Sequence, residues 1–265
     1  MRLILSSNYF VIFEKIYLFI YMNNIIFIIF IIFIIIIILL FVYDIFGNKC
    51  ESFIPKNIDN NKYYDENGKL INHKINEREE QEQAYKYIES NDIVLELGGR
   101  YGTVSSVINY KLNNKKNHVV VEPDENIIPA LTRNREINKS GYHILSKIIS
   151  NTDKKKIDDG YGTRYVDIDV NSMRDDKTNN IISYKDFKKL FPLNFNVIVA
   201  DCEGCLAELI KNMGTDFYKI NKVIFEADFP KLCNYAELIE QLQNDGFRMV
   251  EEKSNFRYVF IKYLF

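Results

Sequence analysis

The chain has 265 residues and no tryptophan, and it carries only three histidines, four cysteines and five prolines. His73, His118 and His143 fall at no metal-ligand spacing, and beside the C-x-x-C pair Cys202/Cys205 only Cys50 and Cys233 remain, too few and too scattered to complete a zinc site. No metal centre is expected. An excess of positive charge is also missing: 34 Lys and Arg face 36 Asp and Glu, for a formal net charge of −2. Nucleic-acid binding calls for a concentrated basic face, so the balance argues against a nucleic-acid partner. A phosphate-cradling G-x-x-x-x-G-K-[ST] loop is absent as well, which excludes a P-loop.

What the chain has in abundance is isoleucine, much of it in one place. Residues 25–43 read "IIFIIFIIFIIIIILLFVY" without a charge. About 20 apolar residues span the hydrocarbon of a bilayer as a helix, which satisfies every backbone N–H within itself. The pattern predicts an N-terminal segment over 1–24 and a transmembrane helix over 25–43, hence a single-pass membrane protein with a lipid bilayer as partner. A cleaved signal peptide has a shorter core, roughly 7–15 residues, and a small-residue cleavage site, and "DIFGNKC" offers none. Arg2 and Lys15 on one side and Lys49 and Lys56 on the other leave the orientation unspecified. Residues 44–75 are polar and rich in Asn, Lys and Asp, which predicts a tether, with the folded domain over 76–265.

Within 76–265, helical and strand patterns alternate. "NEREEQEQAYKYIES" predicts a helix with a polar face, "IVLEL" a buried strand and "GTVSSVINYKL" the helix after it. "HVVVEP", "YHILSKIIS", "FNVIVAD" and "NKVIFEADF" predict further strands, each preceded by a helical stretch. "RMVEE" and "RYVFIKYLF" predict a closing antiparallel pair. The expected fold is a doubly wound, Rossmann-like α/β domain: a mostly parallel sheet with helices on both faces. Ligands of such sheets sit beyond the carboxyl ends of the strands. Glu96, Glu122, Asp201 and Glu226 should therefore gather at one edge.

The first strand-to-helix turn, "LELGGRYGTV", contains Glu96, Gly98, Gly99 and Gly102. Glycine permits a tight turn and close approach of backbone to a ligand. A dinucleotide fingerprint would read G-x-G-x-x-G; here the register is G-G-x-x-G, which speaks against an NAD-dependent oxidoreductase. An acid before the first glycine instead suits the amino-acid portion of S-adenosylmethionine. Glu122, closing the second strand, suits a ribose with two free hydroxyls.

Four stretches together resemble the FkbM family of S-adenosylmethionine-dependent methyltransferases. "ELGGRYG" is similar to its glycine motif, "VEPDE" to its second-strand motif, Leu131, Asn134 and Asn138 to its helical L-x-x-N-x-x-x-N, and "VADCEGCL" to its D-x-E-G element. Val199 and Leu206 depart from the family's Lys and Glu. The resemblance implies a class I methyltransferase fold and S-adenosylmethionine as cofactor, held by Glu96, Gly98, Gly99, Gly102 and Glu122, with Asn151 or Asp153 near the adenine. It implies methyl transfer to a hydroxyl of a small-molecule or glycan acceptor, with Asp201 and Glu203 as the catalytic carboxylates, either of which could be the base. A non-catalytic, methyltransferase-like binding domain is the alternative that Val199 and Leu206 keep open. In the family motif the positions of Cys202 and Cys205 hold small apolar residues, so both are expected to pack as small hydrophobes, with a redox pair at a helix N-terminus as the lesser alternative.

Overall fold

The computed structural model describes residues 32–36, 54–75, 77–158, 163–168, 180–254 and 256–263. The chain divides into two units, Met1–Ser52 and Phe53–Phe265. In the first, residues 32–36 are helical (α1) and exposed. The rest of the predicted 25–43 span lies outside the described residues, and among the described residues no helix is long and apolar enough to cross a membrane.

The second unit is built on a seven-stranded sheet in the order β10-β11-β9-β8-β1-β2-β3. Its parallel strands are β1 (Val94–Leu97), β2 (His118–Val121), β3 (His143–Leu145), β8 (Val197–Ala200) and β9 (Lys222–Glu226). β11 (Arg257–Ile261) runs antiparallel to β9, and β10 (Arg248–Lys253) pairs antiparallel with β11, giving the closing pair that the sequence predicts. β1, β2 and β8 are buried throughout, because side chains alternate between two covered faces. Leu95, Leu97, Ile198, Ala200, Val223 and Phe225 pack on one face against α6 (Tyr184–Leu190), α7 (Leu206–Met213) and α8 (Tyr235–Asn244). Val94, Val197, Val199, Ile224 and Val259 pack on the other, with Ala84 of α3 (Arg78–Tyr87) and Val107 and Ile108 of α4 (Thr103–Lys111). α5 (Ile128–Ile137) begins with Pro129 in its first turn, where a missing N–H costs nothing.

Two expectations change. The predicted third strand divides: β3 joins the sheet, while β4 (Ile148–Ile149) pairs with β7 (Ile181–Ile182) in a separate ladder. A further hairpin, β5 (Lys154–Asp158) with β6 (Thr163–Asp167), lies between them in sequence. The lead-in expected as a tether contains α2 (Lys56–Asp59) and is packed onto the domain from Ile54 onward. Asn134 on α5 accepts from Tyr64 N–H at 2.9 Å and donates to the carbonyls of Tyr64 and Tyr101 at 2.9 and 3.0 Å. One turn on, Asn138 accepts from Lys62 N–H at 3.2 Å and donates to its carbonyl at 2.9 Å. The two amides satisfy the segment's backbone as a neighbouring strand would, so a polar stretch without strand propensity is still held. Tyr63 and His73, both buried, stack edge to face beneath it.

Candidate active site at the switch point of the sheet

The chain runs outward from β1 to β2 and β3, then returns to β8 on the other side of β1. The strand order reverses between β1 and β8, which is where an open α/β sheet presents a crevice. The two strand ends meet closely there: Asp201 N–H donates to Leu97 carbonyl at 3.0 Å. Gly98 has φ +86°, and a Cβ on it would lie 1.7 Å from the Asp201 carbonyl oxygen. Glycine is therefore required twice over, by conformation and by space. A Cβ on Gly99 would meet Val120 at 2.3 Å, and one on Gly102, at φ +80°, the Tyr142 hydroxyl at 2.6 Å. Each of the three glycines is thus explained by contact with the protein itself.

Arg100, the next residue of the turn, has φ +37° and donates its N–H to Glu122 Oε2 at 2.8 Å. Glu122 Oε1 accepts from Asp124 N–H, also at 2.8 Å. Burial raises the Glu122 pKa although both N–H groups stabilise its charge. Each Glu122 oxygen thus carries one backbone donor, and a carboxylate oxygen can accept a second. The glycine turn and the acid at the end of β2 are thus in direct contact, as expected. Pro123, beyond Glu122, is covered by the β5–β6 hairpin: Tyr165 donates its hydroxyl to the Pro123 carbonyl at 3.1 Å. That hairpin is tied to α7 by buried Lys154, which pairs with Glu208 at 2.5 Å and Asp167 at 2.8 Å.

On the other side of the turn lies a cavity of about 30 Å³, room for about two waters. Its walls include Gly98, Gly99, Glu96, Asp201 and Glu226, together with Glu77, Glu80, Gln83 and Arg257. Arg257 reaches from β11 to Glu226 at 2.9 Å, Glu79 at 3.1 Å and Glu80 at 2.5 Å. One guanidinium thus serves three carboxylates, and the surplus of negative charge has a consequence. Burial, the adjacent Glu80 charge and Asp228 push Glu226 up to about 7, against the pull of Arg257. Asp201 sits in the same concavity; the residue retains solvent access, yet the surrounding protein and the Glu226 charge hold its pKa well above the usual carboxylate range. Glu77, bonded by the Thr103 hydroxyl, is raised by burial as well. Gln83 is buried and its Nε2 has no hydrogen-bond partner.

The structure therefore gathers Glu96, Gly98, Gly99 and Asp201 around one cavity and Glu122 on the far side of the turn. Glu96 differs from its expected role: it is buried, Oε1 accepts from Ser105 at 2.9 Å and Oε2 pairs with His118 at 2.8 Å, so it ties β1 to α4 and β2 inside the domain. Gly102 is the N-cap residue of α4. Glu203 follows Asp201 in a turn at φ +52° and is not among the cavity walls. Asp153 is exposed at the start of β5, apart from that cavity. Cys202 and Cys205 are a correction: they form a disulfide, because the turn brings their Cα atoms to 5.5 Å, inside bridging range. Sequence reasoning missed Glu77, Glu80 and Gln83. Their signal is a three-residue spacing, with Glu77 as the N-cap residue of α3 and Glu80 and Gln83 on the side of the helix that follows from it. Among the described residues no group of His, Cys, Asp and Glu is arranged to hold a metal ion.

The fold is a Rossmann-like α/β domain with a mostly parallel sheet and a C-terminal antiparallel pair. No protein-family model matches the chain, and no curated protein matches it in sequence. Solved structures do. TrmK of M. capricolum, solved with S-adenosyl-homocysteine, is 11% identical with a TM-score of 0.40, covering 68% of this chain and 65% of that one. Precorrin-6y C5,15-methyltransferase of Geobacter metallireducens is 10% identical with a TM-score of 0.41, over 69% and 87%. An rRNA methylase of Streptococcus thermophilus is 7% identical with a TM-score of 0.44, over 70% and 95%. Likenesses this distant transfer no residue roles. None is specific to FkbM proteins, and because an RNA methylase is among them they lend nothing to the expectation against nucleic acid.

Proposed function

We propose that the chain is an S-adenosylmethionine-dependent methyltransferase that methylates a hydroxyl of a small-molecule or glycan acceptor and is held at a membrane by residues 25–43. The observation that carries this reading is the contact between the glycine turn and Glu122 beside an acidic cavity, all at the switch point of the sheet. The residues fit such a cofactor. Glu122 has one backbone donor on each oxygen and can accept a second on each from ribose hydroxyls. Gln83 Nε2 is a buried donor without an acceptor, as an α-carboxylate would require, and the neighbouring acids suit an ammonium. When bound, S-adenosylmethionine supplies a methyl group on an activated sulfonium centre. The chain's own task is then to orient the acceptor, exclude water and take a proton. Glu226, poised at about 7, is half-charged near neutral pH, where a general base is most effective. Asp201, next to it and also raised, orients the acceptor or takes the proton in its place.

Calorimetric titration of the full chain with S-adenosylmethionine, and with NAD as a control, tests the reading. Saturable binding of the first and none of the second is expected, with Glu122→Ala weakening it by about tenfold, the loss of one to two hydrogen bonds. A chain that takes up NAD alone, or neither compound, refutes it. Labelled cofactor offered with glycans, hydroxylated small molecules and RNA tests the acceptor; label on RNA alone would discard the glycan assignment. Membrane anchoring predicts that the chain stays with the membrane pellet at alkaline pH and that deleting 25–43 releases it.

A further inference from the structure

The C-x-x-C pair has no part in the chemistry above, yet it sits within it. Asp201, a wall of the acidic cavity, is followed directly by Cys202; Cys205 is the N-cap residue of α7. Between the two sulfurs stand Glu203 and Gly204, at φ +52° and +97°. A non-glycine residue resists the left-handed region, so this turn needs something to hold it. The hydrogen bond across it, Cys205 N–H to Cys202 carbonyl, is long at 3.3 Å. The disulfide is the covalent restraint on that conformation. Both cysteine residues are partly exposed. Against the turn from behind packs a third cysteine: a Cβ on Gly204 would meet Cys233 Cβ at 3.2 Å and Leu232 Cβ at 3.1 Å. Cys233 itself is buried and free.

We propose that Cys202–Cys205 is a reducible disulfide, and that its reduction by a dithiol unlocks the turn carrying Asp201 and Glu203. The reductant's thiolate attacks Cys202 Sγ, forming a mixed disulfide and breaking the Cys202–Cys205 bond. Cys205 is the better leaving group, since its thiolate emerges at the N-terminus of an eight-residue helix. The reductant's second thiol then attacks its own sulfur in the mixed disulfide and releases Cys202. The dithiol ends as a cyclic disulfide, and its two protons pass to the two cysteines or to solvent. Burial keeps Cys233 protonated and slow to react, which leaves it as an internal control. The effect on cofactor handling rests on the methyltransferase reading; the reduction and loosening of the turn do not.

The test uses the full chain in detergent, with and without dithiothreitol, alkylated in the native state. The tryptic peptide 190–211 contains Cys202 and Cys205 and no other cysteine. It should gain two alkyl groups only after reduction, with Cys233 left unmodified. Amide hydrogen exchange over 201–210 should then quicken by about tenfold or more while 94–97 stays protected. The double variant C202S/C205S should exchange at the reduced rate and ignore dithiothreitol. Alkylation of the peptide without reductant, equal exchange in both redox states, or a double variant as slow as the oxidised chain would each overturn the proposal. If exchange responds to reduction and S-adenosylmethionine binds in neither state, the redox device stands and the methyltransferase reading falls.

Discussion

Replacing Glu226 by Gln separates the proton on this carboxyl from everything else in the fold. The side chain is only 11% exposed and lies against Arg257 and Glu80. Its pKa moves from 4.5 to about 7 on folding, chiefly through burial and the Glu80 charge. The folded chain thus binds this proton more tightly than the unfolded chain. The stability it contributes is full below pH 4.5 and is lost as pH rises through 7. At about 1.4 kcal/mol for each tenfold change in proton affinity, the whole loss is about 3 kcal/mol, most of it between pH 5 and 8. Glutamine mimics the protonated carboxyl and has nothing to lose. The stability of Glu226→Gln relative to the unaltered chain should therefore improve by about 2–3 kcal/mol from pH 5 to pH 8. With a urea m-value of roughly 2–3 kcal/mol/M for a domain of this size, the gap between the two midpoints should widen by about 1 M. Urea unfolding followed by far-ultraviolet circular dichroism, in non-ionic detergent, measures it. Asp201, held up in part by the Glu226 charge, is raised less in the variant and so widens the gap in the same direction; groups that do not face Glu226 cancel. Parallel profiles would mean that Glu226 holds no raised pKa in the folded chain, and the role given to it as a base at neutral pH would go with it.

Three more outcomes follow from packing. Gly98→Ala forces a Cβ onto the Asp201 carbonyl at a positive φ, and should cost about 3 kcal/mol or more in thermal or urea unfolding. Lys222→Met leaves Asp92, buried beneath it at 2.9 Å, without its cation and should cost about 3–5 kcal/mol, whereas pairing it with Asp92→Leu should recover much of the loss. Asn134→Ala removes two hydrogen bonds to the lead-in and one to the Tyr101 carbonyl and should cost about 2–3 kcal/mol, with protease cleavage quickening within 54–75 before the sheet is touched.

The sheet was legible because its strands are buried on both faces. Runs such as "IVLEL" and "VIVAD" have no polar face to confuse with a helix, and the helices between them carry ordinary amphipathic spacing. The chain order then left few topologies open. Gly98 to Gly102 and Glu122 were legible for a related reason: a strand end followed by glycines permits only a tight turn. What escaped detection depended on contacts distant in sequence. Glu77, Glu80 and Gln83 read as a solvated face, and only Arg257, some 170 residues later, makes that face part of a cavity. The lead-in reads as a tether because it lacks apolar periodicity, and it is held by two asparagine side chains instead of by a core. The C-x-x-C spacing of Cys202 and Cys205 permits a redox pair, but the family's small apolar residues at those positions favour packing, and only the turn's geometry shows their Cα atoms within bonding range.

Asn138 carries one more consequence. It begins an Asn-Lys-Ser acceptor sequence for N-linked sugar, and the atom that a glycan would join is Nδ2. That same Nδ2 donates to the Lys62 carbonyl, while its Oδ1 takes the Lys62 N–H. Glycosylation of the nascent chain and docking of the lead-in therefore compete for one atom.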